Sequence, residues 1–485
     1  MDEGAVLLLV GVILAASVFA AHGAARTGVP VLVAFLAIGM LLGSDGIGGI
    51  EFSDAELTRR IGIAGLGLIL YDGGLQTSWR RLKDVAVPAA LLSTVGVVVT
   101  GAIAGFGAHA LFDVTWLEAF LLGAVVASTD AAAVFATLRQ TRIRRRVART
   151  LEGESGGNDP MAIALTLGLI AWIEHPHTYG IGDLLILVVR QIGIGAVVGM
   201  VCGAAAAWAF SRIPENVGSF APVASLAAGA TAFGLADVLG GSGFLSVYLT
   251  GLAVGSTPTR YRRQLVAFHE GLAWAAQIGL FVVLGLLVFP HDLLSVALPG
   301  LGLALLLLVV ARPVAVFAST PFLGFSTPEK VLLGWAGLRG AVPIVLATLA
   351  LSSEVPDNHT IFNAVFFVVL VSTAIQGTTL EPVASRLGLV HPVPARSEHP
   401  IEVTGVGELE LVDFAVASDH AIAGAVVREL GLPRDALVAV VTRGDETIPP
   451  RGSTRIEAGD HLFVLIPRRR RADLEDVFGR WRRRV

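Results

Sequence analysis

The chain has 485 residues and a formal net charge of −4, and hydrophobic residues make up 54% of it while charged residues make up only 15%. Soluble domains carry about 25% charged residues. The lower charged fraction of this chain and its mean hydropathy of +0.74 together exclude an ordinary soluble enzyme and predict a polytopic membrane protein. The single cysteine, Cys202, excludes an intramolecular disulfide and a cysteine-based metal site. We expect no enzyme activity, no cofactor and no nucleic-acid partner; membrane lipid is the expected surrounding.

Apolar stretches long enough to cross a bilayer, which takes about 20 residues, recur along the first 390 residues. The seventh of them is long and the third is short. We predict thirteen spans, at about 4–21, 29–44, 61–77, 85–108, 116–138, 155–173, 181–210, 219–238, 242–257, 268–289, 293–312, 329–351 and 360–386.

Basic residues fall in alternate loops between these spans. The loop at 139–149 alone holds six arginines, whereas the intervening loops are acidic apart from Arg59 and Arg60. Loops rich in Lys and Arg remain in the cytoplasm. The pattern therefore predicts an N-terminus outside the cytoplasm and a C-terminus inside, as an odd number of spans requires.

The fifth and twelfth spans both carry polar and backbone-loosening residues at mid-depth. Ser128-Thr129-Asp130 interrupts the fifth, and Gly337-Leu-Arg339-Gly-Ala-Val-Pro343 interrupts the twelfth. Paired interruptions of this kind indicate inverted repeats with two broken helices that cross near the membrane centre. Asp130 and Arg339 would compensate the partial charges at the broken helix ends.

The sixth span opens with Glu154-Ser-Gly-Gly-Asn-Asp-Pro160, the most polar stretch of any predicted span. Ser155, Asn158 and Asp159 share one helical face because residues three and four apart are neighbours. Pro160 removes one helical hydrogen bond beside the acid. Charges inside a membrane span are costly and mark ion pathways by default.

The buried carboxylates Asp159, Asp130 and Asp72 can each hold a proton or help to replace the water shell of a small cation. Burial favours the protonated form of a carboxylate, and a bound cation favours the ionised form. Proton and cation therefore compete for one site, and such competition combined with alternating access gives obligatory exchange. No histidine falls at mid-membrane, so we expect no histidine proton relay.

We expect supporting roles for Glu154, together with its partner Arg339, and for Asn158. Glu154 and Arg339 form the expected ion pair, since either charge alone would be buried without compensation. Asn158 cannot titrate, so we expect it to orient the site by hydrogen bonding.

The composition changes near residue 390. A Pro-rich linker is predicted at 391–400, and a cytoplasmic α+β module at 401–485. Alternating hydrophobic residues predict strands at 401–411, 436–442 and 461–466, with short helices at 421–430 and 473–481.

Three of these motifs together resemble the monovalent cation/proton antiporters, in the NhaP-like branch with an Asn-Asp pair. They are Glu154-Ser-Gly-Gly-Asn-Asp-Pro160, Ser128-Thr-Asp130 and Gly337-Leu-Arg-Gly-Ala-Val-Pro343. The resemblance covers about 1–390 and implies a homodimer whose core domain moves against the dimerisation domain. It implies Asp159 as the shared carboxylate, Ser155 and Thr129 as cation ligands, Asn158 and Asp130 in support, and Glu154 paired with Arg339.

The resemblance has further implications for mechanism and control. Electroneutral exchange is implied because Asn158 replaces the second aspartate of electrogenic relatives. Leu70-Tyr-Asp-Gly-Gly-Leu75 looks like the third-span motif of potassium-exchanging members, which places Asp72 beside the cytoplasmic funnel. The region 401–485 resembles a TrkA-C (RCK-C) domain, and this implies a small regulatory ligand with a nucleotide as the candidate.

The predicted function is exchange of K⁺, or Na⁺, for H⁺ across the inner membrane. A Na⁺-selective antiporter is the alternative within the class, and a ligand-gated cation channel is the alternative from another class. Two features argue against the channel: the sequence contains no filter-like repeat, and its acids lie singly instead of in a ring.

Overall fold

The computed structural model divides into two compact units, 1–392 and 393–485. It describes residues 3–27, 30–130, 133–134, 141–212, 215–259, 261–392, 409–417, 419–443, 446–467 and 471–481. The first unit is almost entirely helical and the second is built on a sheet.

Helices occupy all thirteen predicted spans in the described part of the first unit. Several predicted spans are composed of two or three consecutive helical pieces. The helices are α1 Glu3–Thr27, α2 Val31–Leu42, α3 Ala55–Gln76, α4 Trp79–Leu82, α5 Ala86–Leu91, α6 Val97–Leu111, α7 Trp116–Val125, α8 Arg145–Glu174, α9 Ile181–Phe210, α10 Ala221–Val238, α11 Gly243–Ser256, α12 Arg262–Leu286, α13 Pro290–Leu306, α14 Arg312–Ser319, α15 Thr327–Trp335, α16 Ala341–Leu351 and α17 Asn358–Arg386.

Seven helical stretches among the described residues are long and apolar enough to cross a membrane unaided. The prediction of a polytopic, mostly helical fold is confirmed. Several stretches are longer than predicted, and two of these are composite: one runs through α4, α5 and α6, and the other continues from α13 into α14. Each contains one π turn, Leu92–Gly96 in the first and Leu307–Ala311 in the second.

The fifth and twelfth spans are broken, as the sequence predicts. Helix α7 ends at Val125, and the chain is helical again at Ala133 and Val134. Helix α15 ends at Trp335 and α16 begins at Ala341, so 336–340 is non-helical. The remainder of the first break, at 131–132, lies outside the described residues.

Small residues allow helices to pack backbone against backbone. A Cβ on Gly39 of α2 would overlap the carbonyl oxygen of Val282 in α12, and a Cβ on Gly285 of α12 would overlap that of Leu36. Lipid gives little hydrophobic drive for helix association, so close van der Waals approach of this kind holds membrane helices together.

A short ribbon joins two distant parts of the first unit. Strand β1, Thr141–Ile143, precedes α8 and pairs antiparallel with β2, Val390–Pro392, which follows α17. His391 and Pro392 were expected in the linker and belong instead to this ribbon. The remainder of the predicted linker, 393–400, lies outside the described residues.

The second unit contains a four-stranded antiparallel sheet in the order β3-β6-β4-β5, packed with a C-terminal helix. The prediction of a small α+β module is confirmed; the short strand β5 was not predicted, and 401–408 lies outside the described residues. The elements are β3 Leu409–Ala415, β4 Leu437–Arg443, β5 Glu446–Ile448, β6 Asp460–Pro467 and α18 Arg471–Trp481.

The predicted helix at 421–430 is wrong. This segment consists of turns and a single 3₁₀ turn, Val427–Glu429. Its main chain makes short turn bonds within the segment and also bonds to the 452–456 loop: Gly424 N donates to Ile456 O at 2.7 Å and Val427 N to Thr454 O at 3.0 Å. Gly424 has φ +96°, a conformation that ends helical propagation.

Asp460 is the buried polar anchor of this sheet. Its carboxylate accepts two hydrogen bonds from Arg443, at 2.8 and 3.0 Å, and one from Glu457 N at 2.7 Å. Burial alone would raise the pKa of Asp460, but these hydrogen bonds and the Arg443 charge hold it below its ordinary value of 3.8.

We expect Asp460→Ala to destabilise the second unit, because Arg443 then loses its buried partner. The contribution of Asp460 is complete above its unfolded-state pKa and is lost as the pH falls through the lower folded-state pKa. Hydrogen exchange of the β4 and β6 amides in the full chain measures this effect, with the exposed Asp419→Ala as control. Equal protection of the two variants at pH 7 would contradict the anchoring role.

Candidate ion-binding site

The two helix breaks contact each other directly. The backbone N–H of Asp130 in the first break donates to the carbonyl of Leu338 in the second at 2.7 Å. In the other direction, Nε of Arg339 donates to the carbonyl of Val126 at 3.3 Å. The non-helical segments therefore satisfy part of each other's backbone, as a membrane interior demands.

Opposite charges lie at opposite ends of the half-helices. Buried Arg339 donates to the carbonyls of Val126 and, at 2.7 Å, Gly337, which follow the C-terminal ends of α7 and α15. Asp130 Oδ1 accepts from Ala133 N at 3.2 Å, where the chain becomes helical again. A Cβ on Gly340 would overlap Asp130 Oδ2, so this carboxylate also lies against the start of α16. A cation at C-terminal ends and an anion at N-terminal ends both lower the electrostatic energy.

Asn158 connects helix α8 to the first break. Its Nδ2 donates to Thr129 Oγ1 at 2.7 Å and to the Thr129 carbonyl at 3.0 Å, and the side chain is fully buried. The orienting role expected for Asn158 stays a prediction, and these two bonds are the contacts through which it would act. Thr129 Oγ1 keeps a second lone pair for another partner.

Asp159 lies beside this junction with its side chain 5% exposed. Within the described part of the chain, its buried Oδ1 has no hydrogen-bond partner. The Asp130 charge is close enough to act on it electrostatically. Ser155 lies one turn earlier on α8 and is half-buried. A buried carboxylate oxygen without a donor costs free energy unless a proton or a cation reaches it.

The expected pairing of Glu154 with Arg339 is wrong. Glu154 Oε1 is 2.5 Å from Nη1 of Arg312, and both side chains are 1% exposed. Arg339 donates instead to the helix-end carbonyls described above. The charges of Glu154 and Arg312 act on Arg339 electrostatically, but it contacts neither carboxylate oxygen of Glu154. The carbonyls at the two breaks compete successfully for the Arg339 guanidinium.

Sequence reasoning missed Arg312 because it lies at the edge of the eleventh predicted span, where arginines usually extend to the interface. The helix continues to Ser319, so Arg312 lies seven residues inside the helical stretch. Gly337 makes room for it, since a Cβ there would lie 2.8 Å from Arg312 Nε. Gly337 was a signal that some side chain packs closely against the second break, but the sequence alone does not show which side chain fills that space.

Two glycines of the polar motif leave room for side chains of other helices. A Cβ on Gly156 would overlap the ring of Tyr248 in α11, and one on Gly157 would lie 2.7 Å from Ser93 Oγ in the first π turn. The glycines thus let α8 pack closely on both sides of the site residues.

Asp72 lies in a separate polar group at the end of α3. Its Oδ2 accepts from Gln76 Nε2 at 2.6 Å, and its buried Oδ1 has no hydrogen-bond partner among the described residues. Tyr71 beside it bonds to Ser225 at 2.8 Å, and Ser225 also bonds to buried His269 at 3.0 Å. The structure does not bring Asp72 into hydrogen-bond contact with the described residues of the crossing.

We expect Arg312→Ala to lower the free energy of unfolding by about 3–5 kcal/mol, because it leaves Glu154 buried and unpaired. Arg339→Ala should also lower the free energy of unfolding, but for a different reason: it leaves the carbonyls at the helix ends without their hydrogen-bond donor. Adding Glu154→Gln should therefore rescue Arg312→Ala and not Arg339→Ala. Melting temperatures in detergent measure both effects, and rescue of Arg339→Ala alone would restore the pairing predicted from the sequence.

Comparison with protein families places these motifs. Residues 12–386 match the model of the transmembrane sodium/hydrogen exchanger family, and 411–479 match the TrkA-C domain. The fold is similar to that of the sodium proton antiporter MjNhaP1 from Methanocaldococcus jannaschii, with a TM-score of 0.70 at 24% identity over 80% of this chain and 99% of that one.

Curated relatives match nearly the whole chain. The K(+)/H(+) antiporter NhaP2 of Shewanella baltica (strain OS223) is 39% identical over 474 residues, 96% of this chain and 82% of that protein. The K(+)/H(+) antiporter NhaP of Alkalimonas amylolytica is 37% identical over 476 residues, 97% of this chain and 82% of that protein. The expected resemblance is confirmed: the chain is a membrane antiporter of the sodium/hydrogen exchanger family and carries a C-terminal TrkA-C domain.

Proposed function

We propose that the protein exchanges K⁺ for H⁺ and that both ions bind at Asp159. The supporting observation is the buried Asp159 Oδ1, which has no hydrogen-bond partner among the described residues. A proton satisfies this oxygen in one state and a dehydrated cation in the other. Because one carboxylate cannot hold both, each ion must leave before the other binds.

The oxygen atoms around Asp159 provide the remaining cation ligands. Ser155 lies one turn away on α8, and Thr129 offers its hydroxyl and carbonyl at the break. Carboxylate, hydroxyl and carbonyl oxygens suit a hard cation. Asn158 holds Thr129 in place, Asp130 and Arg339 fix the crossing, and Asp72 attracts cations at the cytoplasmic funnel.

Potassium is the proposed cation because the relatives that match over 94–97% of the chain are named K(+)/H(+) antiporters. Sodium is the alternative: a relative of 28% identity, from Aphanothece halophytica, is named a Na(+)/H(+) antiporter. Because neutral Asn158 stands next to Asp159, we propose electroneutral exchange of one proton for one cation.

The membrane arrangement is also proposed. Residues 1–392 form the transport unit and 401–485 the regulatory unit, joined by 393–400. The positive-inside pattern places the N-terminus outside and the C-terminus in the cytoplasm of a cell whose inner membrane holds the protein. The protein works as a homodimer, and a small ligand, with a nucleotide as the candidate, binds the TrkA-C domain.

We expect Asp159→Asn to abolish cation-driven proton movement, because an amide neither takes up the exchanged proton nor balances the cation charge. Purified protein in liposomes with a pH-sensitive dye measures this, with K⁺, Na⁺, Rb⁺ and Li⁺ compared. The exposed loop variant Asp113→Asn is the matched control and should retain wild-type exchange.

Three outcomes separate the alternatives. Near-wild-type exchange by a folded Asp159→Asn variant would refute the site. Cation flux that does not saturate and needs no counter-ion would favour the channel. A response to Na⁺ and none to K⁺ would favour the sodium antiporter.

A further inference from the structure

The β1–β2 ribbon lies where the two units of the chain join. Strand β2 ends at Pro392, and the second unit begins at the next residue. Strand β1 ends at Ile143, two residues before α8, the helix that carries Glu154, Asn158 and Asp159. The ribbon therefore connects the last residues of the first unit to the helix that carries these three residues.

The ribbon is anchored in the first unit. Its register pairs Thr141 with Pro392, Arg142 with His391 and Ile143 with Val390, and Arg144 N donates to Leu389 O at 2.9 Å. Ile143 and Leu389 are 7% and 2% exposed and belong to the core of that unit. A displacement of β2 must therefore move β1 or break these contacts.

The residues that follow the ribbon also bind the second broken helix. Arg144 Nη1 is 3.3 Å from Oε1 of Glu329, which caps the start of α15 through Ser326. Arg146 donates to the carbonyls of Leu323 and Gly324 and lies 4.0 Å above the Phe325 ring. The start of α8 is thus tied to the start of α15, one half of the crossing.

We propose that this ribbon carries the state of the second unit to the ion site. A change in that unit displaces β2, β1 follows through the shared hydrogen bonds, and the start of α8 moves together with the start of α15 to which it is tied. The inference rests on the proposed exchange function, and it assigns the ribbon as the connection through which that exchange is regulated.

At residue 391 the ribbon can be disrupted by removing a single backbone N–H group. In an antiparallel pair, hydrogen-bonded positions alternate, so the bonded Arg144–Leu389 position makes Arg142–His391 the next bonded one. His391→Pro removes the N–H of that position and suits extended backbone, since residue 391 already precedes a proline. His391→Ala keeps the N–H and is the matched control.

The test compares each variant before and after the units are separated. A protease site is inserted between Ser397 and Glu398 of the full chain, and the purified protein is divided into cleaved and uncleaved halves before reconstitution. The K⁺ concentration that gives half-maximal proton movement is then measured at fixed pH.

Cleavage of the His391→Ala protein should shift the half-maximal K⁺ concentration about fivefold or more, a usual size for coupling between sites. The uncleaved His391→Pro protein should already show the shifted value, and cleavage should not change it further. An equal shift on cleavage of both variants, or no shift in either, would overturn the proposal. Absence of K⁺-driven proton movement in uncleaved wild type would instead overturn the proposed function.

Discussion

The crossing of two broken helices is the constraint on which the rest of the membrane unit depends. Exposed helix ends are costly in a membrane because no water is present to bond them. Here each break bonds to the other, Asp130 through its backbone N–H and Arg339 through its guanidinium. The Arg339 charge thus helps to hold the crossing, while the Asp130 carboxylate accepts from Ala133 N, where the chain becomes helical again. We propose Asp159, which lies beside this crossing, as the carboxylate for exchange.

A second buried pair supports the crossing from the side. Glu154 and Arg312 join α8 to α14, while Asn158 joins α8 to the first break through Thr129. Helix α8 is therefore held at two positions on the N-terminal side of Asp159. An ion site formed by rigid neighbours can change its access without losing its ligands, as alternating access requires.

Features set by residues close together in the sequence could be predicted, whereas those set by contacts between distant residues could not. The breaks were predictable because polar residues, glycine and proline within apolar runs are local signals. The partner of Glu154 was not, because two buried arginines compete and only the fold decides between them. The segment 421–430 looked helical but bonds to the 452–456 loop. Three-residue strands such as β1 and β2 leave no periodic signal in the sequence.

The central claim is that a proton and a cation compete for Asp159. The most direct measurement is proton release when K⁺ is added to purified protein in weakly buffered detergent solution. The account predicts release of protons that saturates with K⁺, that falls as the pH rises and the carboxylate ionises, and that is absent in Asp159→Asn. Saturable K⁺ binding without proton release, or undiminished release from Asp159→Asn, would contradict it.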